Sequence, residues 1–185
     1  MADKYFKESR YLSYLLRHHP EDIDLILDRE GWGDVAHILD KTHWSMDLLS
    51  DIVTNDKKTR YSFNEDKTKI RANYGHSYKL IDITMEEISI SEMVELGGVL
   101  YHGTSTRFID SIYEKGILPM ERNYVHLSIN IPTAVTVGHR HGKAVVIAID
   151  AVKMLKDGCK IYRTESGVYV TKYVGTEYFK EKLNY

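Results

Sequence analysis

The six apolar residues from Ala144 to Ile149 constrain the fold of this chain more than any other segment. Valine and isoleucine predominate among them, and such a run predicts a strand buried within a sheet. Further short strands are predicted at 99–102, 125–127, 160–163 and 167–171, and helices at 108–115 and 132–141, which Gly116 and Gly142 close. We therefore expect a mixed α+β lobe in the C-terminal half.

A different pattern occupies the N-terminal half. Leu12, Leu15 and Leu16 recur at helical spacing, and Pro20 cannot continue a helix, so the first helix should end near residues 17–19. Two more helices are predicted at 35–39 and 46–53, followed by a strand, a polar turn and a strand at 60–63, 64–67 and 69–72. Three helices followed by a hairpin are typical of a winged-helix domain.

The distribution of charged residues also divides the chain into an N-terminal and a C-terminal half. Residues 85–98 are acidic and end in Gly97-Gly98, which indicates a linker or lobe boundary. We place the domains at 1–92, with 13 basic and 18 acidic residues, and at 93–185, with 12 basic and 9 acidic residues. The net formal charge of −2 argues against broad, non-specific affinity for nucleic acid, so any such ligand must be held locally.

Location and cysteine usage give weaker expectations. No apolar stretch reaches the ~20 residues that span a bilayer, and the N-terminus lacks a secretion signal. Cys159 is the only cysteine, which excludes an internal disulfide and a multi-cysteine zinc site. We expect a monomeric cytoplasmic protein that has no membrane contact.

The dipeptide Arg17-His18 indicates phosphate chemistry. Arginine can clamp a phosphate through two parallel hydrogen bonds, and histidine can move a proton near neutral pH. Arg60 and Arg71 lie at the two ends of the predicted hairpin, from which their side chains can approach Arg17. Such a convergence of like charges is costly without an anion between them.

Two histidine motifs in the C-terminal half indicate a second ligand. His102-Gly103-Thr104 follows a predicted strand, where the glycine permits close backbone approach and the threonine offers a hydroxyl to a nucleotide. His126-Leu127-Ser128 is similar. Each motif alone is more often a strand end with local hydrogen bonds, and the two together are more persuasive.

Other ligand classes are not indicated. His18-His19 and the pair His139 and His141 do not place two imidazoles on one helix face. HExxH, GxxxxGK[ST] and GxGxxG are absent from the sequence. We therefore expect no metal site, P-loop or Rossmann site.

Taken together, these segments resemble the RNA 2′-phosphotransferase family, the NAD-dependent enzymes that remove the splice-junction 2′-phosphate from tRNA. The resemblance rests on several segments in order: LSYLLRHHP (12–20), DREGW (28–32), NDKKTRY (55–61), IRANYGHS (70–77), LYHGT (100–104), GILPMERNYVHLS (116–128), VGHRHGK (137–143) and YRTESGVYVT (162–171). Tyr74 stands where the family usually has glutamine. The resemblance implies an N-terminal winged-helix RNA lobe and a C-terminal lobe of the ADP-ribosyltransferase type.

The resemblance also implies the site residues. The catalytic set carries over to Arg17, His18, Arg60 and Arg122, although Arg71 is an alternative to Arg60 as the third arginine. The remaining residues fall into two groups: His102, Gly103, Thr104, His126, Ser128 and Val168 at the NAD site, and Arg71, His76 and Ser77 near the substrate phosphate. Val168 fills the position where protein-modifying relatives have a catalytic glutamate.

The implied reaction transfers an internal RNA 2′-phosphate to NAD without a metal. It passes through an ADP-ribosylated RNA 2′-phosphate and yields 2′-OH RNA, nicotinamide and ADP-ribose 1″,2″-cyclic phosphate. Two alternatives stay open. One is an ADP-ribosyltransferase that caps a terminal phosphate and stops after the first step, and the other is a non-catalytic winged-helix binding module.

Overall fold

The computed structural model describes residues 5–78 and 85–185, and the chain divides into two compact units, Met1–Thr84 and Met85–Tyr185. Both units combine helices with antiparallel strands, so the α+β class is confirmed. The boundary predicted between residues 92 and 93 falls within a helix of the second unit, Ile90–Glu95. Within the described ranges, no helix combines the length and the apolar character that crossing a membrane requires.

Residues 5–78 of the first unit form three α-helices and a small antiparallel sheet. Its elements are α1 (Phe6–Arg17), β1 (Gly33–Asp34), α2 (Val35–Thr42), α3 (Met46–Thr54), β2 (Tyr61–Phe63) and β3 (Lys69–Ala72). The strand order is β1-β3-β2. The three predicted helices and the hairpin are confirmed, whereas β1 has no sequence signal.

Helix α1 ends where the sequence predicts. Leu12, Leu15 and Leu16 are fully buried in the core of this unit. The helix stops at Arg17, and Pro20 opens a short 3-10 turn after it. A residue before proline disfavours helical geometry, and proline itself has no N–H to donate. The end of α1 therefore holds two polar residues next to a hydrophobic core.

The second unit contains two antiparallel sheets and four helices. Its elements are β4 (Glu86–Glu87), α4 (Ile90–Glu95), β5 (Val99–Ser105), α5 (Ile109–Lys115), β6 (Val125–Leu127), α6 (Ile131–Gly138), β7 (Ala144–Asp150), α7 (Ala151–Lys156), β8 (Ile161–Arg163), β9 (Tyr169–Thr171) and β10 (Phe179–Asn184). The sheets have the orders β10-β7-β5 and β4-β8-β9-β6.

Strand β7 is the centre of the first of these sheets. It confirms the strand predicted from residue 144: every residue from Ala144 to Ile149 is buried, and β5 and β10 pair with its two edges. A bridge between Tyr101 and Ser128, with two backbone hydrogen bonds of 2.8 Å, joins β5 to the second sheet. The two sheets share one hydrophobic core.

The acidic segment 85–98 begins at the boundary between the two units and is folded into the second unit. Glu86 accepts a hydrogen bond from Arg163 Nε at 3.1 Å, and Glu87 pairs with Lys160 Nζ at 2.9 Å, which fixes β4 to β8. Ser89 and Glu92 form a capping box at the start of α4. The acidic side chains here cap a helix and pair across strands, so they belong to the second unit.

Two helices in the second unit are shorter than predicted. The helix expected from residue 108 begins at Ile109, after a 3-10 turn at Thr106–Phe108. The helix expected at 132–141 ends at Gly138, and its last turn is a 3-10 turn at His139–His141.

Gly103 is required by the packing of α6 on β5. A Cβ atom at Gly103 would lie 1.8 Å from the carbonyl oxygen of Ala134, and one at Gly138 would lie 2.5 Å from the carbonyl oxygen of Thr104. The helix backbone therefore occupies the space that a side chain on β5 would need. Helix packing is therefore sufficient to explain a glycine at this position.

Replacing Gly103 by alanine should destabilise the second unit by about 3 kcal/mol or more, because the contact is with backbone that cannot rotate away. Urea unfolding followed by circular dichroism, with hydrogen exchange of residues 99–105 and 144–150, measures this loss. Ser105→Ala is the matched control on the same strand, since its hydroxyl is buried without a hydrogen-bond partner in the described ranges. Equal stability of the two variants would contradict this account of Gly103.

Candidate active site

The end of α1 meets the segment that follows β3. Ser77 N donates to the carbonyl oxygen of Arg17 at 3.1 Å, and His18 Nδ1 lies 2.8 Å from Ser77 Oγ. His76 is buried beside them, and the charges of Arg17 and His18 act on its imidazole. The structure thus brings together Arg17, His18, His76 and Ser77.

The guanidinium of Arg17 is buried and only partly satisfied. Its Cζ lies 4.8 Å from the centroid of the Tyr74 ring, whose hydroxyl donates to the Lys58 carbonyl oxygen at 3.1 Å. Burial lowers the pKa of Arg17, although the side chain stays charged. Its Nε and Nη2 are buried without a hydrogen-bond partner among residues 5–78 and 85–185. Because buried polar groups are normally hydrogen-bonded, this cation marks a site for an anion.

Asp56 positions Arg60. Its buried carboxylate pairs with Arg60 Nη1 at 3.1 Å, and it also accepts hydrogen bonds from the backbone N–H groups of Lys58 and Arg60. Arg60 Nη1 also donates to Ser9 Oγ on α1 at 3.2 Å. Sequence reasoning missed Asp56, although a carboxylate four residues before a functional arginine is a usable signal.

A groove with a volume of about 340 Å³ runs along one face of α1. Its lining residues are Phe6, Ser9, Arg10, Ser13, Tyr14, His18 and Arg60. The first five recur at intervals of three and four along α1, which is the spacing of one helix face. The spacing of these five residues is present in the sequence, but it is less conspicuous there than that of the leucines on the opposite face of the helix.

Arg71 lies outside the lining of this groove. It is 5% exposed on β3, and its Cζ lies 4.5 Å from the centroid of the Trp32 ring. Of the two arginines considered as the third member of the set, Arg60 shares the groove with His18. The positive charge of Arg71 instead acts on the imidazole of His76.

The second unit brings together another set of predicted residues. His102 Nδ1 donates to the carbonyl oxygen of His126 at 3.2 Å, and His126 Nδ1 donates to the carbonyl oxygen of Tyr124 at 3.1 Å. Since a carbonyl only accepts, each Nδ1 carries the proton. Burial lowers the pKa of His102, and the nearby charge of Arg122 lowers it further. His102 therefore presents a neutral imidazole beside a cation.

Ser128 and Val168 lie at the edge of this set, while Thr104 is further along β5. Ser128 bridges to Tyr101, and Ser128 and Val168 each lie one residue beyond the paired segments of β6 and β9. Thr104 is 5% exposed on β5. Gly103, as described above, faces α6. The histidines, Ser128 and Arg122 form the polar part of this set.

One group of metal-ligand types is present in the described part of the chain. It consists of His19, Glu21 and Asp22, whose ligand atoms lie within 4.8 Å of one another in the turn after α1. His19 Nδ1 already contacts Glu21 at 3.1 Å, and Tyr14 donates to Asp22 at 2.9 Å. These contacts account for the arrangement by hydrogen bonding within the protein.

Comparison with known proteins assigns the sequence of this chain to a family. The model of the RNA 2′-phosphotransferase, Tpt1 / KptA family, matches residues 3–173. This chain belongs to that family. Proteins named probable RNA 2′-phosphotransferase are similar over nearly the full length. One from Agrobacterium fabrum is 43% identical over 92% of this chain and 90% of its own.

Two other relatives with that name give the same result. The protein from Acaryochloris marina is 41% identical and covers 94% of each chain. That from Fusobacterium nucleatum is 41% identical over 96% of this chain and 99% of its own. The family match includes both sets of residues described above, so membership in the RNA 2′-phosphotransferase family applies to both units.

His76 should make the stability of this family member depend on pH. Burial, followed by the charges of Arg17, His18 and Arg71, lowers the pKa of His76 to about 3. Below the ordinary pKa of ~6.5 the unfolded chain binds a proton that the folded chain does not, so stability falls as the pH falls. The expected loss is about 1.4 kcal/mol per pH unit, or about 2 kcal/mol between pH 6.5 and pH 5.

The two tryptophans, Trp32 and Trp44, both lie in the first unit, so their fluorescence during urea unfolding reports on that unit. The variant His76→Gln should flatten the pH dependence, whereas His43→Gln, at an exposed position, should keep the wild-type slope. Parallel curves for the wild type and His76→Gln would refute the assignment.

Proposed function

We propose that this protein removes an internal 2′-phosphate from RNA by transferring it to NAD. The observation that carries the proposal is the buried, partly unsatisfied guanidinium of Arg17 behind a groove lined by His18 and Arg60, in a chain of the RNA 2′-phosphotransferase family. The products are 2′-OH RNA, nicotinamide and ADP-ribose 1″,2″-cyclic phosphate.

The first unit supplies the groups for the phosphate. A phosphate dianion that enters the groove contacts Arg60 and His18, which line it, while Arg17 adds positive charge from the buried side. Charged hydrogen bonds to phosphate are among the strongest that side chains form. Asp56 and Ser9 hold Arg60 Nη1, so the guanidinium is oriented before the substrate binds. We propose that this unit is the winged-helix lobe that the sequence implies.

The second unit supplies donors and acceptors that suit NAD. Because the Nδ1 atoms of His102 and His126 donate to carbonyl groups, the Nε2 atom of neutral His102 is a hydrogen-bond acceptor for a ribose hydroxyl. Ser128 adds a hydroxyl, and Arg122 adds a cation for the anionic dinucleotide. This donor set fits NAD, and it supports an NAD-binding lobe of the ADP-ribosyltransferase type.

The reaction has two steps. In the first, an oxygen of the RNA 2′-phosphate forms a bond to C1″ of the nicotinamide ribose, and the bond from C1″ to the pyridinium nitrogen breaks with its electron pair on nicotinamide. This gives an ADP-ribosylated RNA 2′-phosphate. Alignment is the main requirement, because the phosphate is already anionic and nicotinamide leaves as a neutral molecule.

In the second step, the ribose O2″ loses its proton and attacks phosphorus, the bond from phosphorus to the RNA O2′ breaks, and O2′ takes up a proton. Negative charge builds on the phosphoryl oxygens, and fixed cations stabilise it. We assign this role to Arg17, Arg60 and Arg122, and the proposal includes no metal. His18 assists the proton transfer, and because Ser77 holds Nδ1, we assign the transfer to Nε2.

A short RNA with one internal 2′-phosphate tests the proposal. The purified protein is incubated with this RNA with and without NAD, and with EDTA, and both the RNA and the nucleotide products are identified. NAD-dependent formation of 2′-OH RNA and ADP-ribose 1″,2″-cyclic phosphate in EDTA supports the proposal. A reaction that stops at the ADP-ribosylated phosphate indicates a capping enzyme, and RNA binding without NAD consumption indicates a binding module.

The variant His18→Asn should slow the second step by about 10²- to 10⁴-fold, because general acid–base catalysis contributes about that factor. The ADP-ribosylated RNA should accumulate while the affinity for NAD stays unchanged. His43→Asn is the matched control, since His43 is exposed and has a positive φ of 57°, which asparagine tolerates. Normal turnover by His18→Asn would refute the role of His18.

A further inference from the structure

The groove along α1 is longer than a phosphate requires. His18 and Arg60 account for the phosphate contacts, whereas Phe6, Arg10 and Tyr14 line the same groove and have no role in the proposed reaction. Its volume of about 340 Å³ is within the range of about 300–1,000 Å³ for small-molecule sites. The helix extends about 12 Å between Arg10 and His18, at ~1.5 Å per residue.

Aromatic side chains in this groove are held at the surface. Phe6 is 60% exposed and Tyr14 is 37% exposed. Tyr14 is fixed in place, because its hydroxyl donates to Asp22 at 2.9 Å and its ring stacks on that of His19 at 4.6 Å. Exposed, oriented aromatic rings are the surfaces on which single-stranded RNA bases stack.

The groove also has a cation, Arg10, without a carboxylate partner among the described residues. Within the described part of the first unit, the ion pairs do not include Arg10. Ser13, one turn further along the helix, lines the same groove. An arginine beside a hydroxyl suits a phosphodiester. The unit otherwise has an excess of acidic residues, so this positive region is local.

We propose that the outer part of the groove binds the nucleotide next to the 2′-phosphorylated ribose. Its base stacks on the aromatic side chains, chiefly Tyr14, and its phosphodiester contacts Arg10. The inference rests on the proposed function and adds the form of the substrate, which is a single-stranded RNA with at least one flanking nucleotide. Stacking is tolerant of sequence, so the identity of the flanking base should matter little.

The carboxylates near the groove restrict the path of the strand. Asp22 binds the hydroxyl of Tyr14, and Glu21 contacts His19 behind the ring, so both lie at the end of the groove near the 3-10 turn. These carboxylates disfavour a second phosphate, that of the flanking nucleotide, at that end. The flanking nucleotide therefore extends towards Arg10 and Phe6.

The test compares two substrates, an oligonucleotide with one internal 2′-phosphate and a nucleoside 2′-phosphate without neighbours, with NAD saturating. For the wild type, the KM of the oligonucleotide should be at least about tenfold lower, since one stacked base contributes about that much. Arg10→Gln and Tyr14→Leu should each raise the oligonucleotide KM by about tenfold, without a change in kcat or in the KM of NAD.

Further variants distinguish the loss of a direct RNA contact from an effect on the structure of the protein. Tyr14→Phe keeps the ring and should retain most of the affinity, and Arg10→Lys should recover most of the affinity lost in Arg10→Gln. Tyr113→Leu, at an exposed tyrosine of the second unit, and Arg29→Gln, at another exposed position, are matched controls outside the lining of the groove that should leave KM unchanged. Arg10→Gln should also reduce the slope of log KM against log salt by about 0.7, the value for one phosphate contact on a single strand.

The outcomes distinguish this inference from the proposed function. If the wild type converts the oligonucleotide but Arg10→Gln and Tyr14→Leu leave its KM and salt slope unchanged, the groove assignment is wrong and the function stands. Equal KM values for the two substrates in the wild type also overturn the assignment. If the wild type does not remove the 2′-phosphate with NAD, the proposed function itself fails.

Discussion

The first unit is organised around a positive charge that its own residues only partly satisfy. Arg17 ends α1 because proline stops the helix three residues later, and the segment after β3 returns to bind its carbonyl oxygen. The guanidinium is therefore held beneath Tyr74 with two nitrogen atoms unpartnered in the described ranges. Burying such a group is unfavourable unless an anion compensates. The charge of Arg17 also adds to burial in lowering the pKa of His76, so its imidazole stays neutral.

The sequence predicted those helices and strands whose conformation depends mainly on their own residues. The leucines of α1, the proline after it and the valine-rich run of β7 each act through side-chain burial or backbone restriction, and the structure has these elements where they were expected. The sequence did not predict the strand in segment 85–98, because its acidic residues find partners in β8, some 75 residues away. Composition alone cannot identify such partners. The same reason explains why β10, which is mostly exposed, gave no signal.

The candidate site was predictable in its residue types but not in its geometry. Arg17-His18 and the two histidine motifs carry recognisable chemistry, and the structure brings the members of each set together within one unit. The sequence could not separate Arg60 from Arg71, since both flank the hairpin, whereas in the structure Arg60 lines the groove and Arg71 packs against Trp32. It also could not assign Gly103 to helix packing, because the carbonyl group that excludes a side chain there belongs to Ala134.

The loop that carries Arg60 has a consequence for how this part of the protein can change in evolution. One carboxylate, that of Asp56, binds two backbone N–H groups and the guanidinium within four residues, and Thr59 adopts a φ of 44° to close the turn. Adding or removing a residue between Asp56 and Arg60 would break this geometry and direct the arginine elsewhere. Descendants of this sequence should therefore vary the loop by substitution, while its length stays fixed.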